Sequence, residues 1–134
     1  MCGITALLSD KNIFSDLLES LYHLQHRGQD SFGFGYLDDK NIKILKQNGL
    51  VSNFNNLDIQ TNIGIGHVRY PTFGENTLNE CQPFYFSGPL YNISLVHNGQ
   101  IWITDKLKEY FNLHDIPLFN TTSDTGYLIS FLSY

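Results

Sequence analysis

Apolar residues along this chain follow two rhythms, one of strands and one of helices, and together they predict the elements. Residues 2–9, CGITALLS, form a short apolar run that reads as a buried strand. Phe14, Leu17, Leu18, Leu21 and Leu24 then recur at helical spacing, which predicts a helix over 13–25 with one apolar face. Gly28 stands just past it, where a helix stop would sit. Ser31–Leu37 and Ile42–Gln47 read as two strands joined by the polar turn 38–41. Asn62–Tyr70 and Asn92–His97 are further strand candidates, and Asp105–Leu113 a short helix. The stretch 71–90 is rich in Pro, Gly and Asn and is expected to be a long loop. A loop of about 20 residues in a compact domain is usually functional or disordered. From Ser123 the pattern turns helical again and is still running at Tyr134, which suggests a shortened chain. Adjacent strand pairs with helices between them predict α+β layers rather than strict βαβ alternation.

Composition narrows the class. Hydrophobic residues make up 42% and charged residues 16%, a globular balance over 134 residues, enough for one domain. A net charge of -5 with only eight Lys and Arg argues against a nucleic-acid surface. No apolar run approaches the roughly 18 residues that a membrane helix needs. Cys2 and Cys81 are too few for a disulfide framework, and a cytoplasmic protein with free thiols is expected.

Cys2 changes the picture most. Once Met1 is removed, it carries a thiol and a free α-amine on one residue. In peptides an α-amine titrates at about 7.7–8.0, close enough to neutrality to act as base for a thiol. The plainer reading is a small apolar residue opening a buried strand. Four clusters weigh against that reading: His26–Ser31 (HRGQDS), Gly66–Thr72 (GHVRYPT), His97–Gly99 (HNG) and Ser123–Thr125 (SDT). Singly, each has a plain explanation. Arg27 and Arg69 suit solvated strand-end charges, and His67 and His97 suit satisfied core histidines. Asn98-Gly99 is a common turn and Ser123-Asp124 a common helix cap. In this order behind Cys2, chance is a poor account of them.

With Cys2-Gly3-Ile4, QPF at 82–84 and NTTSDT at 120–125, these motifs resemble the class II, N-terminal-nucleophile glutamine amidotransferases, over essentially the whole chain. Within them the chain is most similar to the glutamine phosphoribosylpyrophosphate amidotransferase branch. Glucosamine-6-phosphate synthase relatives usually have Thr-Arg-Trp where Val68-Arg69-Tyr70 stands here. The resemblance implies a four-layer αββα sandwich, expected to be incomplete at the C-terminus. It implies glutamine hydrolysis, with Cys2 as nucleophile and its own amine as base. Asn98 and the Gly99 N–H would donate to the oxyanion, Arg69 would clamp the glutamine α-carboxylate, and Asp124 would hold its α-ammonium. Arg27, Gly28 and Thr72 are further substrate-binding positions on the same ground. Cys81, where relatives commonly carry Ala, reads as a passive substitution.

No metal or other cofactor is implied for this segment. Mg2+ is expected only for a phosphoribosyltransferase domain, which residues 1–134 do not contain and which would be the partner using the ammonia for phosphoribosylamine in purine synthesis. The full-length form is expected to be a homo-oligomer, with no nucleic-acid or membrane partner. Two alternatives stand beside the enzyme reading. One is a non-catalytic or truncated glutaminase-like module that serves binding or assembly. The other, an acylase-like hydrolase of the same fold, leaves a strand-end Arg paired with SDT unexplained.

Overall fold

The apolar face of residues 14–24 decides where the first layer lies. In the computed structural model, which describes residues 1–55, 58–70 and 78–134, they form helix α1 (Phe14–Leu24). It buries Phe14, Leu17 and Leu21 against a four-stranded sheet. That sheet contains β1 (Gly3–Leu8), β2 (Ser31–Asp38), β3 (Asn41–Asn48) and β4 (Ile63–Arg69) in the order β1-β4-β2-β3, every pair antiparallel. Leu17 and Leu21 are fully buried, and each such side chain contributes about 1.5–3 kcal/mol relative to exposure.

Alternation along β2 separates the two faces of this sheet. Phe34 meets Phe14 of α1 with tilted rings 5.3 Å apart, with Phe32 and Phe54 in the same aromatic cluster. Gly33 points the other way, where a Cβ would lie 2.4 Å from the carbonyl oxygen of Gln82. Only a residue without a side chain lets that backbone come so close. Asp38 pairs with Asn41, so Asp39 and Lys40 form the hairpin tip, with Asp39 in the left-handed region at φ 52.

A second sheet covers the Gly33 face. It pairs β5 (Phe84–Ser87) with β6 (Asn92–Leu95), and helix α3 (Thr125–Ser133) packs on its outer side. Phe84 is fully buried and meets Phe119 at 5.0 Å. Helix α2 (Asp105–Leu113), capped by Thr104 Oγ1 on the Leu107 N–H, joins α3 through Phe111 and Tyr127. The layers therefore run helix, sheet, sheet, helix, the α+β sandwich expected.

One expectation fails in part. Strand β5 lies inside the stretch 71–90 expected to be loop. Phe84-Tyr85-Phe86 has high strand propensity, but the flanking Pro83, Gly88 and Pro89 hid it. Residues 71–77 of that stretch lie outside the described residues. Among the described residues no helix is long and apolar enough to cross a membrane.

Candidate active site

Cys2 sits one residue before β1, and three separate segments meet it. Its carbonyl oxygen accepts hydrogen bonds from Arg27 Nε and from Asn98 Nδ2, both at 2.9 Å. Its sulfur lies 3.8 Å from the carbonyl oxygen of Tyr70, the residue after Arg69. Arg27, half-buried, is therefore bonded to the backbone of Cys2. It ends the 3-10 turn Gln25–Arg27 that continues α1.

Gly28 does end the helical segment, as the C-cap of the turn Gln25–Arg27, with its N–H donating to the Gln25 carbonyl at 3.1 Å, but not through a left-handed backbone. Its φ of -164° is ordinary extended backbone. What needs glycine there is proximity, since a Cβ would lie 2.5 Å from the carbonyl carbon of Arg69. Gln25 holds this crossing in place. Its Nε2 donates to the Gly28 carbonyl and its Oε1 accepts from the Val51 N–H.

Arg69 is buried, 8% exposed, which sets aside a solvated strand-end charge. Its Nη1 meets Asp30 Oδ2 at 2.8 Å. Asp124 stands at the start of α3 without capping it; Ser123 Oγ takes that part, accepting from the Thr125 N–H at 3.2 Å. Instead Asp124 Oδ2 accepts from the Ile101 N–H at 2.5 Å, two residues past Gly99. Asn98 and Gly99 are both exposed. Thr72 lies outside the described residues.

The two histidines differ. His97 Nδ1 lies 3.1 Å from Thr125 Oγ1, so it is partnered. His67 is buried on β4, and neither ring nitrogen has a hydrogen-bond partner among the described residues. Among the described residues it is therefore not a satisfied core histidine. Burial, then the charges of Arg69, His97 and Lys46, push its pKa down to about 3. Burial likewise pushes the Cys81 thiol up, and its sulfur donates to the Phe32 carbonyl at 3.2 Å.

Three residues without an assigned role hold the site together. Asp30 pairs with Arg69, and Gln82 accepts the His97 N–H at 2.6 Å. Glu80 accepts from Thr121 Oγ1 and from the Thr122 N–H, tying down the segment ahead of Asp124. Asp30 and Gln82 lie inside HRGQDS and QPF. Their signal was a polar residue two positions ahead of a buried strand aromatic, Phe32 and Phe84 respectively.

A helix–sheet–sheet–helix sandwich with a cysteine ahead of its first strand is the arrangement that the resemblance to N-terminal-nucleophile glutamine amidotransferases implies. No family model matches the chain. The amidophosphoribosyltransferase of Pasteurella multocida (strain Pm70) is 41% identical over 138 residues, covering 99% of this chain and 27% of that protein. That of Haemophilus influenzae has the same identity and coverage, 41%, 99% and 27%. The Bacillus subtilis glutamine phosphoribosylpyrophosphate amidotransferase, solved with ADP and GMP, superposes with a TM-score of 0.79 at 27% identity. It covers 97% of this chain, which matches 28% of that one. More particularly, then, the chain is homologous to the amidophosphoribosyltransferases, and it spans a little over a quarter of the curated relatives it matches.

Proposed function

We propose that the chain hydrolyses glutamine to glutamate and ammonia through Cys2 once Met1 is removed. The observation that carries this reading is the convergence of Arg27 and Asn98 on the Cys2 carbonyl, which brings a carboxamide donor to the residue that becomes the N-terminus once Met1 is removed. The thiolate attacks the glutamine carboxamide carbon, and the freed α-amine accepts the thiol proton. It then gives that proton to the departing nitrogen, so the C–N bond breaks and ammonia leaves a glutamyl thioester. Water attacks the thioester, the C–S bond breaks, and glutamate and thiol are regenerated.

Asn98 has two N–H donors, and the Cys2 carbonyl takes one. The other is free for the oxyanion together with the Gly99 N–H. Arg69 and Asp124 supply opposite charges for the two ends of an amino acid. Arg69 keeps further guanidinium donors beyond the one given to Asp30. The steps as written need no metal or organic cofactor. The ammonia would serve phosphoribosylamine formation on a phosphoribosyltransferase domain carried by a longer, oligomeric cytoplasmic protein, where magnesium would belong with the diphosphate.

A glutaminase assay on Met-processed protein tests the reading. Turnover is expected, with none from Cys2→Ser or from protein carrying an extra residue ahead of Cys2. Turnover by the extended protein would remove the amine from the mechanism. No turnover by the processed protein would favour the binding or assembly module.

A further inference from the structure

We infer that Gln82 is a positioning residue for the oxyanion donors, an inference that rests on the glutaminase reading above. Its backbone is fixed first. The Gln82 carbonyl occupies the space left by the missing side chain of Gly33, and the preceding Cys81 is bonded to the Phe32 carbonyl. From this anchored backbone the buried carboxamide works in two directions. Oε1 accepts the His97 N–H at 2.6 Å, and Nε2 donates to Thr125 Oγ1 at 3.3 Å. Thr125 Oγ1 in turn lies 3.1 Å from His97 Nδ1, so Gln82, His97 and Thr125 close a ring of three contacts.

That ring determines where Asn98 and Gly99 can be. A Cβ on Gly99 would lie 2.7 Å from His97 Nε2, so the Gly99 backbone rests directly against the imidazole that Thr125 orients. At the other end of the segment, Asp124 holds the Ile101 N–H. Residues 97 to 101 are thus clamped at both ends, and the exposed Asn98 and Gly99 take their positions from the clamps. Gln82 can serve because one planar group offers an acceptor to the backbone and a donor to the hydroxyl. An apolar side chain of equal length offers neither, and leaves the His97 N–H without its acceptor.

The test compares Met-processed wild type with Gln82→Met, Gln82→Asn and Gln82→Glu. Three quantities are read: kcat and KM for glutamine, the rate of Cys2 alkylation by iodoacetamide, and amide exchange at His97, Asn98 and Gly99. Alkylation needs the thiolate and forms no oxyanion, so it separates positioning of the donors from general loss of structure. Gln82→Met should lower kcat by up to about 100-fold, the effect of a displacement on the order of 1 Å. KM and the alkylation rate should stay close to wild type, and exchange should quicken across the three amides. Gln82→Asn, too short to reach His97 from the anchored backbone, should behave alike if Gln82→Met does not fold. Gln82→Glu restores an acceptor for the His97 N–H and should recover most of kcat. Wild-type kcat in Gln82→Met, or equal losses of kcat and alkylation, would overturn the assignment. If wild type itself has no turnover, the glutaminase reading fails. Amide exchange then decides alone, and unchanged exchange in Gln82→Met overturns the positioning role.

Discussion

Arg69 and Asp30 are joined twice. The side chains meet at 2.8 Å from Nη1 to Oδ2, and the Asp30 N–H donates to the Arg69 carbonyl at 3.1 Å. Both side chains are 9% exposed, so neither charge has much water to fall back on. A buried pair of this kind is weak grounds for stability, but removing one partner leaves the other uncompensated.

Asp30→Ala should therefore destabilise the fold by about 3–5 kcal/mol. Asp30→Asn keeps an acceptor and should cost less. If Arg69 binds a carboxylate, Asp30→Asn should chiefly raise KM for glutamine, because a guanidinium freed from its anchor is no longer aimed. Urea titration gives the first number and initial rates give the second. An unchanged KM in a folded Asp30→Asn would separate Arg69 from substrate binding.

Asn98→Ala should spare binding and lower the chemical rate, since the oxyanion exists only near the transition state. Loss of one such donor costs about 10²–10³ in kcat in enzymes where it has been removed. A kcat equal to wild type would mean that the Asn98 bond to the Cys2 carbonyl is its whole role.

Gly28→Ala tests the crossing of chain segments beneath Arg69. The added methyl would sit 2.5 Å from backbone, which cannot rotate away as a side chain could. Both chain segments must shift, an overpacking cost of about 1–3 kcal/mol. The shift should displace Arg69 and raise KM beyond what the stability loss explains. A variant with wild-type stability and KM would show that the crossing gives way elsewhere.

How much of this was legible beforehand varies with the range of the interaction. Helix α1 was plain because Leu17 and Leu21 lie one turn apart on one face, a property of local sequence. The β2–β3 hairpin was plain for the same reason. Strand β5 was missed because its partner β6 lies beyond Gly88 and Pro89, and pairing across such a break leaves no local period. The site residues were named from motif order, and the bonds that hold them are long-range: Arg27 to Cys2, Gln82 to His97, Asp124 to Ile101. Spacing along the chain carries no record of such pairs. Gly28 was legible as the end of a helical segment, but its close approach to the Arg69 backbone was not, because a glycine serving both needs looks the same in sequence as one serving either.

His67 sets a pH dependence that the other elements do not suggest. Folded, its ring stays neutral until about pH 3, held there first by burial and then by Arg69, His97 and Lys46. Unfolded, it takes up a proton near about pH 6.5. Between those values the unfolded chain binds more protons than the folded one, so stability must fall as pH falls. From about pH 7.5 to about pH 5 the loss from this one ring is about 2 kcal/mol. His67→Leu removes the titration and also the two ring nitrogens that lack partners among the described residues. It should leave stability at neutral pH nearly unchanged, because an unpartnered polar group is replaced by an apolar one. It should also flatten the acid slope relative to wild type. Urea midpoints measured for both proteins across this range decide the matter. Parallel curves would mean that His67 titrates as freely folded as unfolded, and its neutral, buried state would have to be given up.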